Sequence, residues 1–249
     1  MCGIIGILHL DGQPVEAAVL GAMADAIRHR GPDGEGMFID GPVGFFHKRL
    51  SIIDLATGQQ PMTTGKLTIC FNGEIYNYVE LREMLVAHGH RFRTTSDTEV
   101  ILAMYAEYGP ACVEQLNGMF AFLLYDAERR QLFMARDHFG IKPLYYHATE
   151  RRILFASEIK ALLRHPEVRA TADIESVREY VTFQFVTGNR TMFAGVRKVQ
   201  PGHWQLIDID SGRTRVAHYW EPRFRIDPYH TEEYFVVESR RLLDRKSVV

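Results

Sequence analysis

The sequence predicts an α+β fold in which two packed, mostly antiparallel sheets are flanked by helices. Three observations carry this. Segments with strand character come as close neighbours across tight turns, as at 120–126 with 131–136 and 144–147 with 153–156, the order of antiparallel hairpins. Helical periodicity is confined to separate blocks, unlike the strand–helix–strand alternation that builds a parallel sheet. A chain of 249 residues, 46% hydrophobic and 24% charged, can bury one large layered core.

Each element follows from local pattern. Ile4, Ile5, Ile7 and Leu8, broken only by Gly6, read as a buried strand. Residues 15–29 carry Val19, Met23 and Ile27 at a helical spacing and stop at Arg30-Gly31-Pro32-Asp33-Gly34. Residues 30–36 are then a turn, or a gate over a pocket. Short strands are expected at 43–47 and 50–53, a loop at 58–65 and a strand at 67–71. Gly58 and Gly65-Lys66 mimic a phosphate-binding loop, but six residues separate the glycines where that motif has four, and Leu67 replaces its Ser/Thr. No phosphate cradle is expected there. Residues 78–88 form a helix with Val79, Leu81, Leu85 and Val86 apolar and Gly89 as its stop. Ser96 with Glu99 fits a capping box that opens a helix over 97–108. Helices at 111–116, 157–163, 174–183 and 232–243 and strands at 202–209 and 215–219 complete the chain.

Composition excludes several classes of function. A net charge of −2 gives no global field for nucleic acid or an anionic membrane. No run of 18 apolar residues and no signal-peptide pattern occur, so a cytoplasmic protein is expected. Cys2, Cys70 and Cys112 form neither a CxxC pair nor an even disulfide set, and Cys70 and Cys112 read as buried structural thiols. The 11 histidines show no metal-ligand spacing, so no metal is expected.

Candidate chemistry begins at Cys2, directly behind Met1. With Met1 removed, a free α-amine of pKa roughly 7.7–8.0 would stand beside a thiol of about 8.5, so one residue would hold both nucleophile and base. The alternative is a small apolar side chain with no chemistry. Attack on a carboxamide also needs oxyanion donors and charges that hold the substrate. Asn72-Gly73, expected at a strand end, could offer a side-chain amide and a backbone N–H, although Asn-Gly is also the commonest hairpin dipeptide. Arg49 could pair with an α-carboxylate, and Glu74 and Asp97 with an ammonium. Asp97 has an ordinary alternative as a first-turn carboxylate on a helix dipole.

Six blocks in order, Met1-Cys2-Gly3-Ile4, Arg28-His29-Arg30-Gly31-Pro32-Asp33, Arg49-Leu50-Ser51-Ile52, Phe71-Asn72-Gly73-Glu74-Ile75-Tyr76-Asn77, Ser96-Asp97-Thr98-Glu99-Val100-Ile101 and Arg136-Asp137-His138-Phe139-Gly140-Ile141-Lys142-Pro143-Leu144-Tyr145-Tyr146, resemble the glutaminase half of glutamine-dependent asparagine synthetases. The likeness covers residues 2 to about 225. It implies the N-terminal-nucleophile (Ntn) hydrolase fold of class II amidotransferases, a four-layer α/β/β/α sandwich. It also implies Cys2 as nucleophile with its own amine as base, Asn72 and Gly73 as the oxyanion hole, Arg49 on the carboxylate of glutamine, and Glu74 and Asp97 on its amino group. The products would be ammonia and glutamate.

By the same resemblance, residues 226–249 are a linker and the start of a C-terminal ATP-dependent synthetase domain, whose Ser-Gly-Gly pyrophosphate-loop signature does not occur in this chain. ATP and Mg would belong to that domain and no cofactor to this one. The chain is accordingly expected to be a truncated piece, with glutamine and the synthetase domain as its partners and a homodimer left open. Two alternatives stand: an asparagine-synthetase-like amidotransferase with another acceptor, and a non-catalytic glutamine-binding module if Met1 is retained. The block at 136–146 fits the sugar-phosphate and purine-pathway amidotransferases less well.

Overall fold

The structure, a computed structural model, describes residues 1–246. In chain order the strands are β1 (Gly3–His9), β2 (Gly34–Asp40), β3 (Val43–Arg49), β4 (Met62–Thr64), β5 (Leu67–Ile75), β6 (Gly118–Asp126), β7 (Gln131–Arg136), β8 (Tyr145–Ala148), β9 (Arg152–Ala156), β10 (Val196–Lys198), β11 (His203–Asp208) and β12 (Thr214–His218). The helices are α1 (Ala17–Asp25), α2 (Tyr78–Ala87), α3 (Asp97–Tyr108), α4 (Ile159–Leu162), α5 (Ile174–Phe183) and α6 (Glu232–Lys246). Two six-stranded antiparallel sheets result, in the orders β10-β8-β9-β1-β3-β2 and β12-β11-β7-β6-β5-β4.

Side-chain alternation along the strands creates the layers. Ile4 and Leu8 of β1 point between the sheets, where they meet Phe45, Leu123 and Phe155, while Ile5 and Ile7 point outward onto α1 and α4. Likewise Cys70, Ala121 and Leu123 of β5 and β6 face the other sheet, and Phe71, Phe120 and Phe122 face α2 and α3. The stack is therefore helix, sheet, sheet, helix. Cys70 and Cys112 are fully buried, as expected of structural thiols. α6 lies outside this stack with its side chains largely solvent-exposed, and the preceding Phe224, Ile226 and Tyr229 are at least 90% exposed.

Several local expectations are corrected. Residues 50–53 are not a strand: β3 runs to Arg49 and the chain then leaves the sheet, with Ser51 N–H donating to Asp33 at 2.8 Å. Residues 34–36, read as part of a turn or gate, open β2, an edge strand exposed enough to carry little apolar signal. β4 and β10, three residues each, were likewise silent. Residues 111–115 lie in a 3-10 turn, Gly109–Gln115, with Pro110 at its start, and Leu116 is already extended. Ser96 does cap α3, but Glu99 takes the N–H groups of Arg93 and Thr94 instead of closing a capping box. Asn72-Gly73 is neither a strand end nor a hairpin: the two residues pair with Ala121 and Phe120 inside β5, whose partner strand lies far along the chain. Residues 247–249, assigned above to the start of a further domain, lie outside the described residues.

Candidate active site

Cys2 immediately precedes β1, whose burial holds the chain start rigidly. Ser157 accepts from Ile4 N–H (2.9 Å), and Arg30 Nε donates to the Cys2 carbonyl at 2.8 Å while its Nη1 pairs with Glu158 at 3.0 Å. None of these bonds involves Met1, which is 54% exposed and lines the cleft. The Cys2 Sγ lies 3.4 Å from both N and O of Leu50. Burial pushes the thiol above its ordinary value, against the opposing pull of the Leu50 hydrogen bond and the Arg49 and Lys142 charges.

β5 supplies the oxyanion donors through its free edge. Even-numbered residues of β5 bond toward β6: Tyr76 N–H donates to Asn117 at 2.7 Å in the same register, and the Phe120 N–H is taken by the Asp137 carboxylate at 3.1 Å. Odd-numbered residues therefore point the other way. Phe71 N–H donates to Gln60 Oε1 (2.6 Å) and Ile75 N–H to Asp97 Oδ2 (3.1 Å). Between them the Gly73 N–H faces the cleft with no strand to pair with. Only glycine fits there, since a Cβ would sit 2.2 Å from Met119 O and 2.8 Å from Phe120 Cα. The neighbouring Asn72 is buried at 1% exposure, and its Nδ2 has no hydrogen-bond partner among the described residues. A buried orphaned amide costs about 1–3 kcal/mol, so its persistence marks a place for a ligand acceptor.

The charges at the other end of the cleft are similarly uncommitted. Arg49 is 4% exposed, and its guanidinium donates only to backbone carbonyls of the following loop: Asp54 (2.5 Å), Leu55 (3.3 Å) and Ile53 (3.5 Å). Among the described residues no carboxylate forms an ion pair with it, which leaves a desolvated cation able to gain strongly from an anionic ligand. Asp97, at the start of α3, is 4% exposed. Burial, with the Glu74 charge adding to it, pushes its carboxyl up to about 6 against hydrogen bonds from Ile75, Thr98 and Ser96. A cation beside it would relieve both effects.

All six residues predicted from sequence, Cys2, Arg49, Asn72, Gly73, Glu74 and Asp97, line this one cleft. No histidine lines it. Nearby His47 is buried and neutral, its value lowered to about 4 by desolvation, and its Nε2 is engaged with Phe71 O at 3.0 Å. Sequence reasoning missed Gln60, whose side chain bridges β5 and Thr98 of α3, and Lys142, a 7%-exposed cation in the wall, lowered by burial against the pull of Glu74 and Cys2. Lys142 stands in a motif quoted above, but nothing in its spacing points to the cleft.

Residues 1–220 match the family described as Glutamine amidotransferase domain. The chain belongs to that family. Two relatives from Bacillus subtilis (strain 168), Asparagine synthetase [glutamine-hydrolyzing] 1 and 2, are 43% and 40% identical to this amidotransferase domain over 246 and 232 residues. The alignments cover 97% and 88% of the chain but only 38% and 30% of the relatives, so the chain spans about a third of their length. Among solved structures, glutamine phosphoribosylpyrophosphate amidotransferase from B. subtilis, complexed with ADP and GMP, superposes with a TM-score of 0.62 at 20% identity. It matches 89% of this chain and 50% of that one, a likeness of fold.

Proposed function

We propose that this domain hydrolyses glutamine to glutamate and ammonia, with Cys2 as nucleophile once Met1 is removed. The observation that carries the reading is the buried, partnerless Asn72 amide in the same cleft as Cys2 and the unpaired Arg49 guanidinium. Arg49 takes the α-carboxylate of glutamine in bidentate fashion, and Asp97 and Glu74 take the α-ammonium. The γ-carboxamide then lies between Cys2 Sγ and the Asn72 and Gly73 donors. Sγ attacks the amide carbon as its proton passes to the Cys2 α-amine, and the oxygen that becomes negative receives the Asn72 Nδ2 and Gly73 N–H bonds. The amine next protonates the leaving nitrogen, ammonia departs, and a γ-glutamyl thioester remains. Water, deprotonated by the same amine, cleaves the thioester to glutamate and restores the thiol. A thiol held above its ordinary value needs an adjacent base; no histidine among the described residues lines the cleft, and removal of Met1 would put the Cys2 α-amine beside the thiol.

On this reading residues 2–225 are the glutaminase unit and 226–249 the linker and start of a synthetase domain. On the resemblance stated above, that domain would bind ATP and Mg and use the ammonia to amidate aspartate, in the cytoplasm; the relatives named as glutamine-hydrolysing asparagine synthetases support this reading. A different acid acceptor is the second reading, which sequence beyond Val249 would separate.

Intact mass and a glutamine-mimicking electrophile test the mechanism together. Loss of Met1 and one adduct on Cys2 are expected, and Cys2→Ala should abolish ammonia release while the fold persists. Undiminished release would refute the assignment; an unprocessed, unlabelled protein would make it a non-catalytic module.

A further inference from the structure

The recognition site has two walls on different elements: Arg49 with the loop that follows β3, and Asp97 at the start of α3. We propose that Asp54 is a positioning residue that ties these walls together and sets the distance between the α-carboxylate and α-ammonium sites, an inference that rests on the glutaminase reading above.

Two sets of hydrogen bonds leave Asp54 in opposite directions. Its backbone adopts a left-handed conformation (φ 51°), and its carbonyl accepts from both Arg49 Nη2 (2.5 Å) and Gly58 N–H (3.1 Å). Its carboxylate accepts from Thr57 N–H (2.7 Å) and Thr57 Oγ1 (2.5 Å), which closes the turn, and from Thr95 N–H (2.8 Å) on the opposite wall. Thr95 immediately precedes Ser96, whose hydroxyl caps α3, and Asp97. One residue therefore fixes the guanidinium through its main chain and the start of α3 through its side chain. Burial pushes the carboxyl up, but the Thr57 and Thr95 hydrogen bonds outweigh it and keep the group ionised at any working pH. Gly58 belongs to the same design, because a Cβ there would come within 2.8 Å of both Arg49 Nη2 and the Asp54 oxygen. Apolar packing adds little at this turn, where Ile52 and Leu55 are 59% and 68% exposed.

Asn72 and Gly73 are carried by β5 and Cys2 directly precedes β1; from this loop Cys2 meets Leu50, next to the end of β3 and not at the Asp54 turn. Loss of the strut should then weaken capture of the amino-acid end and leave the bond-breaking end in place. Asp54→Gly isolates the carboxylate, since glycine keeps the left-handed backbone. In protein from which Met1 has been removed, it should raise KM for L-glutamine about 10-fold, equivalent to about 1.4 kcal/mol, with kcat altered far less. Asp54→Asn, with its one oxygen in the Oδ2 place, can still accept from Thr95 N–H and Thr57 Oγ1 but not from Thr57 N–H, and should recover part of that loss. In an Arg49→Ala background, the further effect of Asp54→Gly should shrink, because Asp54 acts through Arg49. An unchanged KM, a kcat that falls in step with the affinity, or a full independent effect in the Arg49→Ala background would each overturn the inference. Cys2→Ala in the same series separates the two failures. Ammonia release that survives it would sink the glutaminase reading and this inference with it, whereas a dead Cys2→Ala beside an unaltered Asp54→Gly would remove the strut alone.

Discussion

Asp97→Asn should stabilise the unliganded protein and at the same time cripple glutamine binding, because the carboxylate is held in a place where it is costly until an ammonium arrives. Burial, with the charge of Glu74 adding to it, raises the folded-state value from 3.8 to about 6. Below the unfolded value both states carry the proton and no penalty exists. Between about 4 and 6 the unfolded chain ionises while the folded one does not, so stability falls as pH rises, and above 6 the loss is complete. A shift of about two units at 1.36 kcal/mol each corresponds to about 3 kcal/mol. Asparagine stays neutral and its side-chain oxygen can still accept the Ile75 N–H now held at 3.1 Å. The variant should gain about 2–3 kcal/mol at pH 7 and almost nothing at pH 4, which for a chain of this size means a rise in Tm of roughly 4–12 °C at pH 7. Thermal unfolding of both proteins at the two pH values measures this directly. A variant no more stable than the parent at pH 7, or equally stabilised at pH 4, would refute the reasoning. The same linkage makes KM for glutamine in the parent rise as pH falls below about 6, approaching tenfold per unit, and that dependence should vanish in Asp97→Asn.

Two further substitutions separate chemistry from architecture. Asn72→Ala should lower kcat by roughly 10²–10³-fold, as for other single oxyanion donors, with KM little altered; since Nδ2 has no partner among the described residues, its removal gives up no hydrogen bond and relieves the cost of burying it, so Tm should not fall, and a kcat within a few-fold of the parent would exclude the donor role. Gly73→Ala forces its Cβ against the backbone of Met119 and Phe120, which cannot swing aside, so the cost should be about 1–3 kcal/mol of stability together with loss of turnover, read by denaturant unfolding and ammonia release.

Much of the site was legible because its chemistry is carried by residue type. A sulfur nucleophile behind the initiator, a cation and two carboxylates suited to an amino acid, and an Asn-Gly pair could be picked out before any fold was known, and all of them reach one cleft. The antiparallel layering was legible too, since Ile4, Ile5, Ile7 and Leu8, and the paired segments around 126–131 and 148–152, reveal their burial and turns locally. What failed were features with no local signature. The edge strand Gly34–Asp40 lacks the alternation of a half-buried strand, since Met37 and Ile39 are exposed, and Leu50, Ile52 and Ile53 leave the sheet to wall the cleft instead.

The sequence by itself determined which reacting and binding groups the protein has, and that its core is two stacked antiparallel sheets, because side-chain chemistry and the period of hydrophobicity are properties of short stretches. Tertiary structure alone decided which of these groups are left unsatisfied. Asn72-Gly73 could be a turn or an oxyanion hole until β6 claimed one edge of its strand, while Gln60 and Asp97 capped the other on either side of Gly73. Arg49 could be an ordinary ion pair until its loop surrounded it with carbonyls and no counter-charge. Whether a polar group already has a partner is settled by residues distant in the chain, and among the described residues that line the cleft the Asn72 amide is a buried donor left without one.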